Sequence, residues 1–206
     1  IYLERPFDGK WEARLDYTFS KSRGNNEGQV KSEFGQSNIS KTQDWDAAEI
    51  MRYSYGYLAN DRTHQVKMRG SYMLTDELLI GANIRFLSGA PISCLGFFNP
   101  DGTIDEGSQA ADPIGYGPSY HTCFGEVATP GSKRTKTVDM GLTYTPSFFD
   151  KKLTLGLQVR NLLNANETLQ VDVTSEDDPY TVSNTYLLPL GRQTPRTVVF
   201  TASYDW

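Results

Sequence analysis

Two cysteines and two histidines are the residues of this chain with the widest chemistry. Cys94 and Cys123 fall in one predicted loop, where a disulfide would staple a long segment by restricting its unfolded state; two reduced thiols are the alternative. His64 lies at a predicted strand end and His121 in a loop, so no Ser-His-Asp or Cys-His arrangement can be argued. We therefore expect no enzyme, no catalytic residue and no cofactor. The alternative is a barrel enzyme that uses His121 beside Cys123.

A segment rich in oxygen ligands, NPDGTIDEG (99–107), faintly resembles a calcium-binding loop. It lacks the full twelve-residue spacing of an EF-hand, and an Asp-Gly turn explains it better. We expect no metal site.

Six aromatic side chains in the predicted loops are candidate ligand contacts, since rigid amphipathic rings supply contact area at a low entropy cost. The same rings could equally pack the long loops against one another, and the sequence leaves both interpretations open. The candidates are Trp45, Tyr55, Phe97, Phe98, Tyr116 and Tyr120.

Composition and charge exclude several classes of protein. The 206 residues carry a net charge of −5 without a stripe of Lys and Arg, which argues against nucleic acid or an anionic lipid surface as the main partner. The mean hydropathy is −0.50. No window approaches the roughly 18 consecutive apolar residues of a transmembrane helix. The chain begins at Ile1 without a signal peptide, so we expect a processed or incomplete piece of a longer protein.

Apolar and polar side chains alternate along six segments, which is the pattern of β-strands. At ~3.3 Å per residue and a ~45° tilt, such strands cross an apolar band of ~25 Å. The segments are Trp11 to Lys21, Thr63 to Leu74, Leu78 to Phe86, Val138 to Tyr144, Leu153 to Val159 and Val198 to Trp206. Ile1 to Arg5 would be the end of one more strand.

The connections between these segments alternate in length. Residues 6–10, 75–76 and 146–152 form short connections, whereas 22–62, 89–134 and 163–194 are long and polar. A transmembrane barrel has this asymmetry, with tight periplasmic turns and long extracellular loops. We predict an all-β chain that forms part of a larger antiparallel outer-membrane β-barrel. A soluble β-sandwich, with its apolar faces packed inward, is the alternative.

In a membrane barrel the apolar set faces lipid, because lipid cannot hydrogen-bond an exposed polar group. The polar set would then line a lumen that suits either water or a plug domain. Its charged members are Glu12, Arg14, Asp16, Lys67, Arg69, Arg85, Asp139 and Arg160. Trp11, Tyr144, Tyr204 and Trp206 fall at the periplasmic level, where aromatic girdles sit.

Several motifs carry a resemblance to a known family. LQVRNLLNANE (157–167) resembles the segment that ends the penultimate strand of TonB-dependent outer-membrane receptors, and TVVFTASYDW (197–206) looks like their closing strand. RFLSGAPISCLG (85–96), GYGPSYHTCFG (115–125) and GRQTPR (191–196) are similar to the Oar-like subgroup. The resemblance spans most of the chain from Trp11 to Trp206.

The resemblance implies a barrel of roughly 22 strands, of which this chain supplies roughly the last seven, around an N-terminal plug domain. It also implies import of a large or scarce ligand, such as a peptide or an oligosaccharide, energised by a TonB complex. The implied partners are the rest of the barrel, the plug, outer-membrane lipid, an extracellular ligand and the barrel-assembly machinery, which would read Phe200, Tyr204 and Trp206. A passive porin or an adhesion barrel is the alternative, which a plug domain and TonB box upstream of Ile1 would exclude.

Overall fold

The chain is built almost entirely from β-strands joined by turns and loops. The computed structural model describes residues 1–28, 30–32, 46–48, 50–96, 117, 122–123, 129–130, 134–178 and 181–206. In chain order, the strands are β1 (Tyr2–Arg5), β2 (Trp11–Phe19), β3 (Arg23–Gly24), β4 (Gly56–Tyr57), β5 (His64–Thr75), β6 (Leu78–Leu87), β7 (Pro91–Ile92), β8 (Thr129–Pro130), β9 (Thr135–Tyr144), β10 (Leu153–Arg160), β11 (Thr168–Val171), β12 (Glu176–Asp178), β13 (Thr181–Val182), β14 (Pro189–Arg192) and β15 (Thr197–Tyr204).

Seven of these strands form one antiparallel sheet, which we call the wall. Its order is β1-β2-β5-β6-β9-β10-β15, so each strand pairs with the next wall strand along the chain. All six alternating segments of the sequence are wall strands, and β1 is the predicted seventh. The other sheets among the described residues are two-stranded. No helix in this part of the chain is long and apolar enough to span a membrane.

The pairing register keeps apolar residues on one face of the wall and polar residues on the other. Leu15 pairs with Met68 and Met68 with Ile84, whereas Asp16 pairs with Lys67 on the opposite face. A slip of one residue would exchange the two faces of a strand. The apolar face stays uncovered, and its exposed large side chains include Trp11, Phe19, Met68, Tyr72, Ile84, Met140, Leu155, Val198, Phe200 and Tyr204.

Hydrogen bonds from carboxylates hold the short turns at one end of the wall. In the β1–β2 turn, Asp8 Oδ1 accepts the backbone N–H groups of Lys10 at 2.9 Å and Trp11 at 3.0 Å. These bonds, the one from Trp11 first, together with the Arg5 guanidinium, lower the pKa of Asp8 from 3.8 to about 2. Gly9 follows at φ +94°, which favours glycine.

The second and third short turns are joined to each other. Glu77 Oε1, between β5 and β6, accepts the backbone N–H of Ser147 at 2.8 Å and also its hydroxyl. These two hydrogen bonds lower the pKa of Glu77. Ser147–Phe149 is a 3-10 turn, and Asp150 and Lys151 after it have φ of 53° and 61°. The turns of this end are therefore compact and mutually braced.

The well-buried apolar side chains lie outside the wall. Ile50, Ala90, Leu95, Val173 and the two cysteines are each less than a tenth exposed, and all of them belong to the three long connections. In the wall, by contrast, large apolar side chains are exposed on one face and polar side chains lie on the other. The described residues thus place a small core of the soluble type at the end of the wall opposite the short turns.

Candidate functional site

The three long connections pack together at the end of the wall opposite the short turns, and we call their described residues between 20 and 63, 88 and 134, and 161 and 196 the loop cap. Cys94 and Cys123 form a disulfide within it, with their Cα atoms 5.4 Å apart. The predicted staple is thereby confirmed, and the alternative of two reduced thiols is wrong. Both cysteines are buried, at 3% and 0% exposed, so the disulfide belongs to the interior of the loop cap.

Leu95 joins the second connection to the third. Its backbone N–H donates to Val173 O at 2.8 Å, and its carbonyl accepts the N–H of Ser175 at 2.7 Å. The Ser175 hydroxyl also donates to Leu95 O at 3.0 Å. A Cβ at Gly96 would lie only 2.1 Å from Ser175 Oγ, so this close approach requires glycine. The loops therefore interlock through backbone hydrogen bonds next to the disulfide.

Asn161 fixes the point where β10 leaves the wall and enters the loop cap. Its φ is 50°, in the left-handed region that Asn tolerates better than most residues. Its side-chain amide donates to Ala165 O at 2.9 Å and Thr194 O at 2.8 Å, and its Oδ1 accepts the N–H of Ala165 at 2.9 Å. Asn164, also left-handed, accepts the N–H of Arg196 at 3.0 Å. The two asparagines of the NLLN motif thus bind both the segment that follows β10 and the segment that leads into β15.

The side chain of Arg62 links the first long connection to the start of the second through a hydrogen bond. Its Nη1 donates to Ser88 O at 2.9 Å, and burial lowers the pKa of its guanidinium while the Asp61 carboxylate opposes that shift. Asp61 is itself buried and accepts the backbone N–H of Ser22 at 2.6 Å and the hydroxyl of Thr63 at 2.8 Å. A buried carboxylate and a half-buried guanidinium therefore anchor the base of the first connection.

A cavity of about 530 Å³ opens between the three connections, and it is the candidate ligand site. That volume lies in the range of about 300 to 1,000 Å³ that is usual for small-molecule pockets. Most of the lining is apolar, and among the described residues Arg62 is the only charged one that contributes to it. The apolar contributors include Ala90, Ile92, Leu169, Val173 and Leu187. The cavity can therefore hold an apolar group and offer one cation to an anionic or polar end.

The polar face of the wall carries charges of both signs, as the sequence predicted. Arg14 Nε is 2.9 Å from Asp16 Oδ2, and Arg14 Nη1 is 3.3 Å from Glu4 Oε2. Lys67 and Arg85 pair across the neighbouring strands in the same row as Asp16. A groove with a volume of about 640 Å³ runs along these charged residues. The face is suited to water or to another polar protein surface.

The candidate ligand-contacting aromatic residues are placed only in part. Tyr55 lies in the loop cap and is 62% exposed, so its ring is available to a ligand. The candidates Trp45, Phe97, Phe98, Tyr116 and Tyr120 lie outside the described residues, as do His121 and the segment 99–107. The aromatic rim stays a prediction.

The predicted assembly residues lie along the exposed apolar face near the final end of the wall. Phe200 is 77% exposed and Tyr204 is 52% exposed, while Trp206 follows β15 and is fully exposed. The described residues hold no group of His, Cys, Asp and Glu that could bind a metal ion. Recognition of the three assembly residues by the assembly machinery stays a prediction.

Sequence reasoning missed three residues that organise the loop cap: Arg62, Leu95 and Asn161. Asn161 carried a local signal, because an Asn directly after a strand often adopts a left-handed conformation. Arg62 and Leu95 carried none, since their partners lie 26 and 80 positions away in pairs such as Arg62 with Ser88 and Leu95 with Ser175.

No family model matches the chain. In sequence it is 35% identical over 100 residues to the TonB-dependent transporter Oar of Myxococcus xanthus, a stretch that covers 47% of this chain and 9% of that protein. The chain thus spans only a small part of this curated relative.

The fold is similar to solved outer-membrane proteins. The outer-membrane transporter YddB of Escherichia coli superposes with a TM-score of 0.57 at 14% identity, over 95% of this chain and 22% of YddB. The ferripyoverdine receptor of Pseudomonas aeruginosa superposes with a TM-score of 0.52 at 12% identity, over 98% of this chain and 18% of the receptor. These likenesses confirm the predicted all-β fold, a segment of an antiparallel β-barrel of the outer-membrane type. The relatives are transporters and receptors, in agreement with the expectation that the chain is not an enzyme.

Proposed function

Because the chain shares its fold with outer-membrane receptors and is similar in sequence to a TonB-dependent transporter, we propose that the whole protein is a TonB-dependent receptor. It binds a large or scarce ligand outside the cell and imports it through the barrel. The loop cap captures the ligand at the extracellular mouth. A plug domain occupies the lumen, and a TonB complex supplies the energy from the periplasmic side.

The observation that carries this proposal is the stapled loop cap with its cavity. A passive pore works best with a wide and unobstructed mouth, whereas here the loops are interlocked by Leu95, Ser175 and the disulfide around a cavity of about 530 Å³. A preorganised site binds more tightly, since less conformational freedom is lost on binding. This arrangement favours a receptor that captures a specific ligand.

A peptide fits the cavity better than an oligosaccharide does. The lining is mostly apolar, which suits aliphatic side chains, and the planar guanidinium of Arg62 can donate hydrogen bonds to a carboxylate. An oligosaccharide would need several hydrogen-bonding groups and flat aromatic surfaces, which Tyr55 and the predicted rim would have to supply. We therefore propose a peptide as the cargo, with an oligosaccharide as the competing ligand class.

The polar face of the wall favours a plug as the second partner. Its charges of both signs, such as Arg14, Asp16 and Lys67, can pair with a complementary polar domain. A passive porin or an adhesion barrel is the alternative function, because the same charges also suit a water-filled lumen. The gene upstream of Ile1 distinguishes the two: the receptor requires a plug domain and a TonB box.

Uptake by living cells tests the function. Cells that express the complete protein are supplied with a mixture of short peptides or of oligosaccharides, and depletion of the medium is followed by mass spectrometry. We expect depletion of peptides to stop when TonB is deleted and to fall at least about tenfold in an Arg62→Gln variant, because one charge-assisted contact is lost. Lys152→Gln, on the opposite side of the membrane, is the matched control. Uptake that continues without TonB would establish the passive alternative.

A further inference from the structure

The ligand cavity of the loop cap lies between two extended segments, which run through residues 91–95 and 168–175. We propose that it binds the C-terminal end of a peptide as an added β-strand, antiparallel to both segments, with the free carboxylate of the peptide on Arg62. The inference rests on the proposed function, because it specifies how the same cavity holds a peptide. We call the cavity-lining residues 91–93 and 168–171, together with Arg62, the strand gap.

The two segments pair with each other at one end of the strand gap. Leu95 and Thr174 form a parallel β-bridge, in which the N–H and the carbonyl of Leu95 bond to the two neighbours of Thr174 at 2.8 and 2.7 Å. Before this bridge, residues 91–93 and 168–171 both line the cavity, and the described residues show no β-pairing between them. Two segments that run in the same direction therefore separate and leave the cavity between them.

On the third connection, the backbone of Val171 points toward the strand gap. Asp172 uses the edge next to β14, where its N–H donates to Leu188 O at 3.0 Å. Val173 uses the other edge, where its carbonyl accepts the N–H of Leu95. Successive residues of a strand present their N–H and C=O groups to alternate edges. Val171 therefore offers both groups on the same edge as Val173.

On the second connection, the same alternation directs the carbonyls of Pro91 and Ser93 toward the strand gap. Cys94 uses the outer edge, where its carbonyl accepts the N–H of Cys123 at 3.1 Å, whereas Leu95 uses the inner edge. Pro91 and Ser93 lie four and two positions before Leu95, so they share its edge. Each side of the strand gap thus offers backbone hydrogen-bonding groups to an extended chain, which is the arrangement that adds a peptide as a strand.

The position of Arg62 sets the direction of the peptide. Arg62 lines the cavity and donates to Ser88 O at 2.9 Å, so it lies at the end where the second segment begins, and Leu95 lies at the other end. A strand antiparallel to both segments, which is the more stable pairing, therefore ends at Arg62. Among the described residues, no carboxylate forms an ion pair with Arg62, so its guanidinium can donate to the terminal carboxylate.

The lining of the strand gap selects the side chains of the peptide. An added strand sends successive side chains to opposite faces, and the apolar Ile92, Leu169 and Leu187 line the cavity. Aliphatic side chains next to the free carboxylate fit this lining. A sugar chain has no regular row of N–H and C=O groups to continue the pairing, and a lipid tail would leave the strand-edge carbonyls against an apolar surface. The occupant is thus the C-terminal end of an apolar peptide.

Binding of short peptides to the complete protein in detergent tests the direction of the added strand. The probe is a pool of hexapeptides of Gly, Ala, Val and Leu, and affinity selection with mass spectrometry compares free with amidated C-termini. We expect amidation to weaken binding at least about tenfold, because the charge-assisted contact with Arg62 is lost. Acetylation of the N-terminus, the matched change at the other end, should alter the affinity by less than about twofold.

Backbone methylation of the same peptides tests the pairing itself. A strand inserted between two others donates alternate N–H groups to opposite sides. N-methylation of either alternate set should therefore weaken binding at least about tenfold, since backbone hydrogen bonds are lost on one side in each case. Loss with one set alone would mean that the peptide pairs with a single edge, and it would overturn the inserted strand.

Arg62→Gln tests the contact with the carboxylate. This variant should abolish the difference between free and amidated peptides and retain the sensitivity to N-methylation, which shows that the strand gap is still formed. Arg192→Gln, at an exposed cation of β14 outside the cavity lining, should keep the full difference. An equal loss for free and amidated peptides in Arg62→Gln would contradict the assigned role of Arg62.

The remaining outcomes separate this inference from the proposed function. Equal binding of free, amidated and N-methylated peptides would overturn the added strand and leave a peptide receptor standing. Weakening by acetylation in place of amidation would overturn the antiparallel direction. Binding of none of the peptide pools, while cells still import peptides through TonB, would overturn the strand gap as the site. Binding of an oligosaccharide pool in place of the peptides would overturn both the added strand and the peptide cargo.

Discussion

The wall and the loop cap place their large apolar side chains in opposite environments. In the wall, large side chains such as Phe200 and Met68 point outward and are exposed, because lipid is their solvent. In the loop cap, Leu95 and Val173 are buried and a disulfide closes the segment, as in a small secreted domain. Large apolar side chains therefore stabilise the wall where they are exposed and the loop cap where they are buried. The difference teaches that burial alone does not identify the stabilising residues of this chain.

Leu95→Ala should produce the largest effect, and it should be confined to the loop cap. Leu95 is 2% exposed, and removing a buried Leu side chain costs about 2 to 5 kcal/mol because a cavity remains. We expect rapid proteolysis of the loops while the barrel keeps its heat-modifiable migration. Leu163→Ala, at a residue that is 56% exposed, is the control. Loss of the folded barrel in Leu95→Ala would show that wall and loop cap fold as one unit.

Removing the disulfide should come next. The variant Cys94→Ser with Cys123→Ser opens a link with a sequence separation of 29, which corresponds to about 3 to 4 kcal/mol of unfolded-state restriction. We expect hydrogen exchange at Leu95 and Cys123 to accelerate by at least about a hundredfold, while exchange in β10 is unchanged. Treatment of the unaltered protein with a reductant under mildly denaturing conditions should reproduce the result. Unaltered protection of Leu95 would show that backbone contacts suffice.

Leu157→Arg should damage the wall and leave the loop cap intact. Leu157 pairs with Phe200 on the apolar face, and an Arg near the bilayer midplane costs about 2 to 4 kcal/mol. Gln158→Arg, one position further on, places the same charge in the lumen and is the matched control. Refolding into lipid bilayers from urea measures both variants. Similar losses in both would contradict the assignment of the two faces.

Asn161→Ala tests the junction between the two regions. It removes three side-chain hydrogen bonds and puts a residue with less tolerance for left-handed backbone at φ 50°. We expect a loss of about 2 kcal/mol and faster exchange of the Ala165 amide, whose N–H donates to Asn161 Oδ1. Asn161→Gly, which tolerates the backbone, should recover part of the stability. Equal losses in the two variants would assign the whole effect to the amide.

The smallest effect is expected at a periplasmic turn. Because folding lowers the pKa of Asp8 from 3.8 to about 2, its contribution to stability is fully present above pH 3.8 and is lost as the pH falls through about 2. Hydrogen exchange of the Lys10 and Trp11 amides should therefore accelerate over this range. Asp8→Asn should flatten the dependence, and Asp205→Asn should leave it unchanged. A midpoint near 4 would show that the turn does not hold the carboxylate.

Much of the wall could be predicted from the sequence because its signal is local. The alternation from Trp11 to Phe19 repeats every two residues, so it assigns both the strand and the face of each side chain. The short connection at Thr75 and Asp76 then makes β5 and β6 neighbours. The disulfide was predictable as well, since Cys94 and Cys123 are the only cysteines. The aromatic candidates in the loops had no such pattern, and Tyr55 is the one that the structure places.

The sequence by itself determined the strands, their order, the lipid-facing side and the staple, because each follows from neighbouring residues or from the only available partner. Tertiary structure alone decided how the loop cap closes: Leu95 between Val173 and Ser175, and Arg62 on Ser88. These contacts join residues far apart in the chain that carry no periodic signal, so only the folded arrangement brings them together.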